Sequence, residues 1–185
     1  MNRSSLPATA SGQSGPDSDR NQRLTGFEVL DSEPHAFLFG SWKNVLIAVW
    51  KGQATAPRVE RFRRAIEVMT ERTPGYRSNV HVILDGAALP TAEARASLVA
   101  LMKRNRETLA AVVIVVSGSG FWSSALRSAM TGLRVLAPTS YDFHVAATID
   151  NVVNWLPAVH ELSTGVKLDP EELGDVLRSA LSSPD

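Results

Sequence analysis

Residues Ile83–Leu98 read ILDGAALPTAEARASL. An apolar run ends at Leu84, Gly86 and Pro90 mark a short loop, and Thr91 stands where a helix N-cap belongs. Ala94, Leu98, Leu101 and Met102 then recur at helical spacing, giving one inner face. The segment leading into this stretch, NVHVILDG at Asn79–Gly86, is mostly apolar, as a strand covered on both faces is. A strand that passes through a short turn into a helix is the half-unit of a parallel α/β fold.

Working outward, the same unit returns twice. AAVVIVV at Ala110–Val116 is a second buried strand. After it, Ser119 caps an expected helix from Gly120 to about Gly132, with Phe121, Ala125, Leu126 and Ala129 inward. YDFHVAAT at Tyr141–Thr148 is a further strand, and Thr148 caps a helix with Val152, Trp155 and Leu156 on one side. Pro157 is expected to kink or end that helix. In the last helix Asp169 is the N-cap, Pro170 the first residue, and Glu172 completes a near capping box. Val176, Leu177 and Leu181 give it an apolar face to dock.

Upstream, His35–Trp42 and Val45–Lys51 read as an antiparallel hairpin turning at Lys43-Asn44, where Asn tolerates positive φ. FEVL at Phe27–Leu30 reads as a short edge strand. Between Thr55 and Pro74-Gly75 lies a helix whose buried face is Val59, Phe62, Ile66 and Met69. Arg58, Glu60, Arg61 and Arg64 fall outside that face and read as solvated, with Glu60 and Arg64 spaced to pair. The expected fold is therefore α/β: a mixed, mostly parallel sheet with an N-terminal β-hairpin, helices packed on it, and a C-terminal helix. Residues 1–22, rich in Ser, Gly, Pro and Asp, read as a disordered tail. Residues 23–162 read as the domain and 163–185 as a helical extension.

Composition narrows the function classes. The chain has 185 residues, no net charge and no cysteine. A neutral balance argues against nucleic-acid binding, which calls for a basic excess. Without cysteine there is no disulfide frame, thiolate metal site or cysteine nucleophile. No signal-like apolar core appears at the N-terminus, and the longest apolar run, Leu109–Val116, is too short to span a bilayer. A cytoplasmic location fits these features.

The motifs for chemistry are sparse. His35, His81, His144 and His160 stand singly, so no metal site and no cofactor is expected, and each reads as a structural histidine. Ser117, Ser119 and Ser123 follow a strand, but no G-x-S-x-G elbow and no evident base accompany them. SGSGFWSS at Ser117–Ser124 opens a helix after a strand, yet beyond Gly118 and Gly120 it lacks a third glycine and a Gly-Lys-Ser/Thr. Asp85 ends a central strand, where α/β folds place acids that face ligands, but one carboxylate is not a mechanism. Glu93 complements the helix dipole without any further task.

Four stretches carry a family resemblance: LIAVWKGQATAPRVERFRRAI (46–66), VHVILDGAALPTAEARASLVALMKRN (80–105), AAVVIVVSGSGFWSSALRSAMTGLRVL (110–136) and YDFHVAATIDNVVNWL (141–156). In order and apolar pattern they resemble STAS domains, the fold of bacterial anti-sigma-factor antagonists, and their SpoIIAA-like relatives, which are grouped with the lipid-binding CRAL-TRIO architecture. In the antagonists a D-S-x-G motif carries a serine whose phosphorylation breaks partner binding. That motif falls here on Glu93-Ala94-Arg95-Ala96, so the acceptor serine is missing. Thr91 is a hydroxyl nearby.

The resemblance implies a non-enzymatic regulatory or scaffolding domain that binds a protein: a kinase-like anti-sigma factor, another signalling protein or a second copy. Its surface would comprise Asp85, Gly86, Thr91, Glu93, Arg95, Ser97, Lys103 and Arg104. The Arg95→Glu exchange is expected to weaken partner retention without unfolding the domain. The alternative is a lipid or small-molecule binder using Gly118, Ser119, Gly120, Phe121 and Trp122, with a pocket near Trp42 and Trp50.

Overall fold

The computed structural model describes residues 26–118, 123–126, 128 and 140–183. Six strands form one sheet in the order β1-β2-β3-β4-β5-β6. They are β1 (Glu28–Glu33), β2 (Phe37–Trp42), β3 (Val45–Trp50), β4 (Arg77–Ile83), β5 (Leu109–Val116) and β6 (Asp142–Ala146). The first three pair antiparallel, and β3 through β6 run parallel. Helices among the described residues include α1 (Ala56–Arg72), α2 (Ala92–Asn105), α3 (Ile149–Thr164) and α4 (Pro170–Ser182). Parallel strands laid down in sequence order, joined by right-handed crossovers, put the crossover helices on one face. Accordingly α1 and α2 pack together on one side, while α3 and α4 cover the other. The mixed sheet with its N-terminal hairpin is the architecture that the sequence pattern implies.

Alternation divides the core. On β3, Val45, Ile47 and Val49 join the cluster under α3 and α4, whereas Leu46, Ala48 and Trp50 join the one under α1. Val59, Phe62, Ile66 and Met69 of α1 are all buried, as their spacing requires. Phe62 stands edge-on to Phe39 at 5.1 Å and to Trp50 at 5.9 Å. Leu173, Val176, Leu177 and Ala180 seat α4 in the core of its own chain. The N-caps work as expected at Thr91, whose hydroxyl accepts from Ala94 N–H at 3.1 Å, and at Asp169, which accepts from Glu171 and Glu172.

Several local expectations are corrected. In the β2–β3 turn Lys43, not Asn44, takes the positive φ of 51°. The Asn44 carboxamide is held inside the fold instead: its Nδ2–H donates to Tyr76 O at 3.0 Å, and its Oδ1 accepts from His160 Nε2–H at 2.6 Å. Pro157 does not end α3, which continues to Thr164. The full capping box belongs to Thr148 and Asn151, while the Glu172 carboxylate reaches Lys43 Nζ at 3.1 Å. Arg58 and Arg61 are not a solvated face, because β1 lies beside α1 and offers acids. Arg58 meets Glu33 at 2.7 Å, and Arg61 meets Asp31 at 2.5 Å and Glu33 at 2.8 Å. Ala125 is exposed although Leu126 beside it is buried. The expected tail over residues 1–22 lies outside the described residues, as do Phe121 and Ala129 of the expected inner face.

Candidate functional site

Among the described helices, α2 is the one that stands off the sheet. It packs chiefly against α1 and leaves a cavity of about 110 Å³ over the strands. Ala94 and Leu101 face inward and are buried. Leu98, Val99 and Met102, half-buried, form the cavity roof. Side chains on alternate residues of neighbouring parallel strands form the floor, with Asn79 beside Val112 and Phe143 in one row, and His81 beside Ile114 in the next. Phe62 and Ile66 of α1 and Trp50 of β3 close one side, and the Ala87–Pro90 loop closes the end where the strands finish. Open α/β sheets place ligands outside the carboxyl ends of their strands.

Two polar side chains interrupt this apolar lining from below. His81 Nδ1 accepts a hydrogen bond from the Trp50 indole Nε1–H at 3.3 Å, and its ring meets Phe62 edge-on at 5.0 Å. An indole nitrogen only donates, so the neutral ring carries its proton on Nε2. Burial holds the His81 pKa down to about 4, so that nitrogen is an N–H donor of an uncharged ring at neutral pH. Asn79 is 5% exposed, and its Oδ1 has no hydrogen-bond partner. At the rim, the Arg95 guanidinium donates to Pro90 O at 2.7 Å.

The residues expected to meet a partner divide into two groups. Asp85, Gly86, Glu93, Lys103 and Arg104 are exposed, and Thr91 and Ser97 are half-buried. Arg95 is exposed but also lines the cavity mouth, so Arg95→Glu changes two features together. Ala94, which the resemblance aligns with the antagonists' serine, is fully buried. Of the alternative ligand set, Gly118 has φ of 96°, and a Cβ added there would lie 2.9 Å from Asp85 Cγ and 3.2 Å from Ser123 Oγ. Ser119, Gly120, Phe121 and Trp122 lie outside the described residues. Trp50 lines the cavity, but Trp42 belongs to the core on the opposite face, because residues an even number apart share a face only while the strand runs unbroken. The β2–β3 turn separates these two.

Asn79 and His81 were not among the expected site residues. Their signal was present in NVHV: on a strand covered on both sides, two polar residues alternate with two valines and so occupy one face.

Ser78, His160 and Asn44 form a second polar cluster, on the other face. His160 Nε2–H donates to Asn44 Oδ1, and Ser78 Oγ–H donates to His160 Nδ1 at 2.7 Å. Burial and the nearby Lys43 charge hold the His160 pKa down to about 4. The trio resembles a nucleophile, base and orienting group, yet all three are buried. Its chemistry is that of a satisfied polar tie between α3 and the sheet. A shallow groove of about 410 Å³ between Lys43, Tyr76 and Val166 reaches Asn44, whose carboxamide is already paired. Among the described residues no cluster of histidines and carboxylates could hold a metal ion, and no helix is long and apolar enough to cross a membrane.

The strand order, the split helical layers and the C-terminal helix define a SpoIIAA-like α/β fold. The chain is similar to the crystal structure of an uncharacterized protein of the DUF3478 family with a SpoIIAA-like fold from Shewanella loihica PV-4. The two share 15% identity and a TM-score of 0.51 over 69% of this chain and 98% of that one. No protein-family model matches the sequence, and no curated protein matches it. At this identity the likeness establishes the fold alone.

Proposed function

We propose that this SpoIIAA-like domain binds a small, largely apolar molecule between α2 and the sheet. The observation that carries the reading is the cavity itself, which is walled by apolar side chains from α1, α2 and the strands. Closely packed interiors rarely keep such space, and a single concave apolar site with a few convergent polar groups is the usual form of a ligand pocket. The test is titration of methyl-labelled protein with benzene. Saturable shifts should centre on Leu98, Met102, Val112 and Ile114, and Val99→Phe, which fills the space from α2, should abolish them. Shifts that are absent, or unaltered in Val99→Phe, would sink the reading.

A second reading, a protein-binding surface on the outer side of α2, is favoured by a different observation. Lys103 and Arg104 project from its last turn, and Leu89 beside its start is 49% exposed. The double exchange Lys103→Glu and Arg104→Glu isolates this surface from the cavity mouth. Selective loss of a co-purifying protein from the folded variant would support it, and identical retention would remove it.

A further inference from the structure

The occupant's chemistry can be read from the cavity floor, an inference that rests on the binding role proposed above. Asn79 carries a carboxamide whose Oδ1 is buried without a partner, and among the described residues its side chain makes no hydrogen bond. His81, two residues along the same strand, points to the same side and offers Nε2–H toward the cavity, since Nδ1 is occupied by the Trp50 indole. Residues so spaced stand about 7 Å apart along a strand. One oxygen set between them is within reach of both side chains.

A hydroxyl suits this pair whichever way the carboxamide is turned about χ2. It accepts from His81 Nε2–H and donates to the Asn79 carbonyl, or accepts from both nitrogens. Size limits the rest of the molecule. Cavities of roughly 150 Å³ lined by Leu, Ile and Phe take up benzene. A space of about 110 Å³ beside Phe62 and Trp50 is therefore of single-ring size. Charge is also limited: among the described residues no cation or carboxylate lines the floor, the buried Arg77 guanidinium nearby is taken up by Asn105 Oδ1 at 2.7 Å, and Arg95 at the rim is tied to Pro90 O. An ion on that floor would give up its hydration against an apolar lining. We propose that the cavity binds a neutral, single-ring hydroxylated molecule of the phenol class, its hydroxyl bridging His81 and Asn79.

The experiment compares phenol with toluene at pH 7 on the full chain labelled with ¹⁵N. Binding is read at the Trp50 indole N–H, assigned with Trp50→Phe. Phenol is expected to bind at least about tenfold more tightly than toluene, the value of one net buried hydrogen bond. An unmarked apolar cavity would favour toluene, because phenol gives up hydration on entry. Asn79→Ala, which removes the carboxamide without filling the space, should keep toluene binding and remove the preference for phenol. His81→Phe, a second variant should the first not fold, should do the same. Toluene binding as tightly as phenol overturns the hydroxyl assignment and leaves the cavity reading standing. A phenol preference unchanged in both variants overturns the role of these two residues. If neither molecule binds up to its solubility, the inference and the reading beneath it both fail.

Discussion

Asn79→Leu should make the protein more stable, and Asn44→Leu should make it less so. The two asparagines are 5% and 6% exposed, so the transfer of the side chain from water is nearly the same at both. What differs is their partners. Asn79 Oδ1 has none, and a buried polar group without a partner costs about 1–3 kcal/mol. Leucine removes that cost, and its extra methyl groups have the adjoining cavity to enter. The expected gain is about 1–2 kcal/mol, or roughly 3–6 °C in Tm for a chain of this length. Asn44 donates to Tyr76 O and accepts from His160 Nε2–H, so its loss strands a buried donor and a carbonyl. A cost of about 2–4 kcal/mol follows. Urea unfolding followed by far-ultraviolet circular dichroism, with both slopes checked for constancy, measures the two. A destabilised Asn79→Leu, or the same sign at both positions, would refute the argument that Asn79 is held ready for something other than the fold. Binding residues that lower stability are the expected signature of such a site.

Three further outcomes follow from the same geometry. His160 is held neutral in the fold down to about pH 4, whereas in the unfolded chain it takes up a proton near 6.5. The unfolded state therefore binds more protons between those values, and stability falls as pH drops through that window. Between pH 7 and pH 4.5 the loss from this one group is about 2–3 kcal/mol, and a urea midpoint flat over that range would contradict it. Gly118→Ala should cost about 1–2 kcal/mol, because φ of 96° disfavours any side chain and the new Cβ would lie 2.9 Å from Asp85 Cγ; calorimetry showing an unchanged Tm would disprove the strain. Thr91→Ala removes the cap of α2 and should lower stability by about 1 kcal/mol, whereas Thr91→Ser should retain most of it. Equal losses in both variants would show that the methyl group, not the hydroxyl, is what matters there.

The sequence alone determined the element order, the parallel strands and the helix starts at Thr91, Thr148 and Asp169. These depend on local physics: apolar periodicity, capping chemistry, and glycine or proline at the breaks. It also carried the inner face of α1, since a stripe of Val59, Phe62, Ile66 and Met69 has only one way to be buried. Tertiary structure decided everything that depends on which element lies beside which. Arg58 and Arg61 became ion-pair partners only because β1 runs alongside α1. Asn44 left the role of turn residue for that of a buried acceptor because α3 brings His160 over it. Ala94 became unreachable, and Arg95 became part of a cavity rim, through the rotation of α2 about its axis. The alternation of Asn79 and His81 with valines is plain in the sequence. Whether those polar groups find partners is set by how far α2 stands from the strands, and no local pattern encodes that distance.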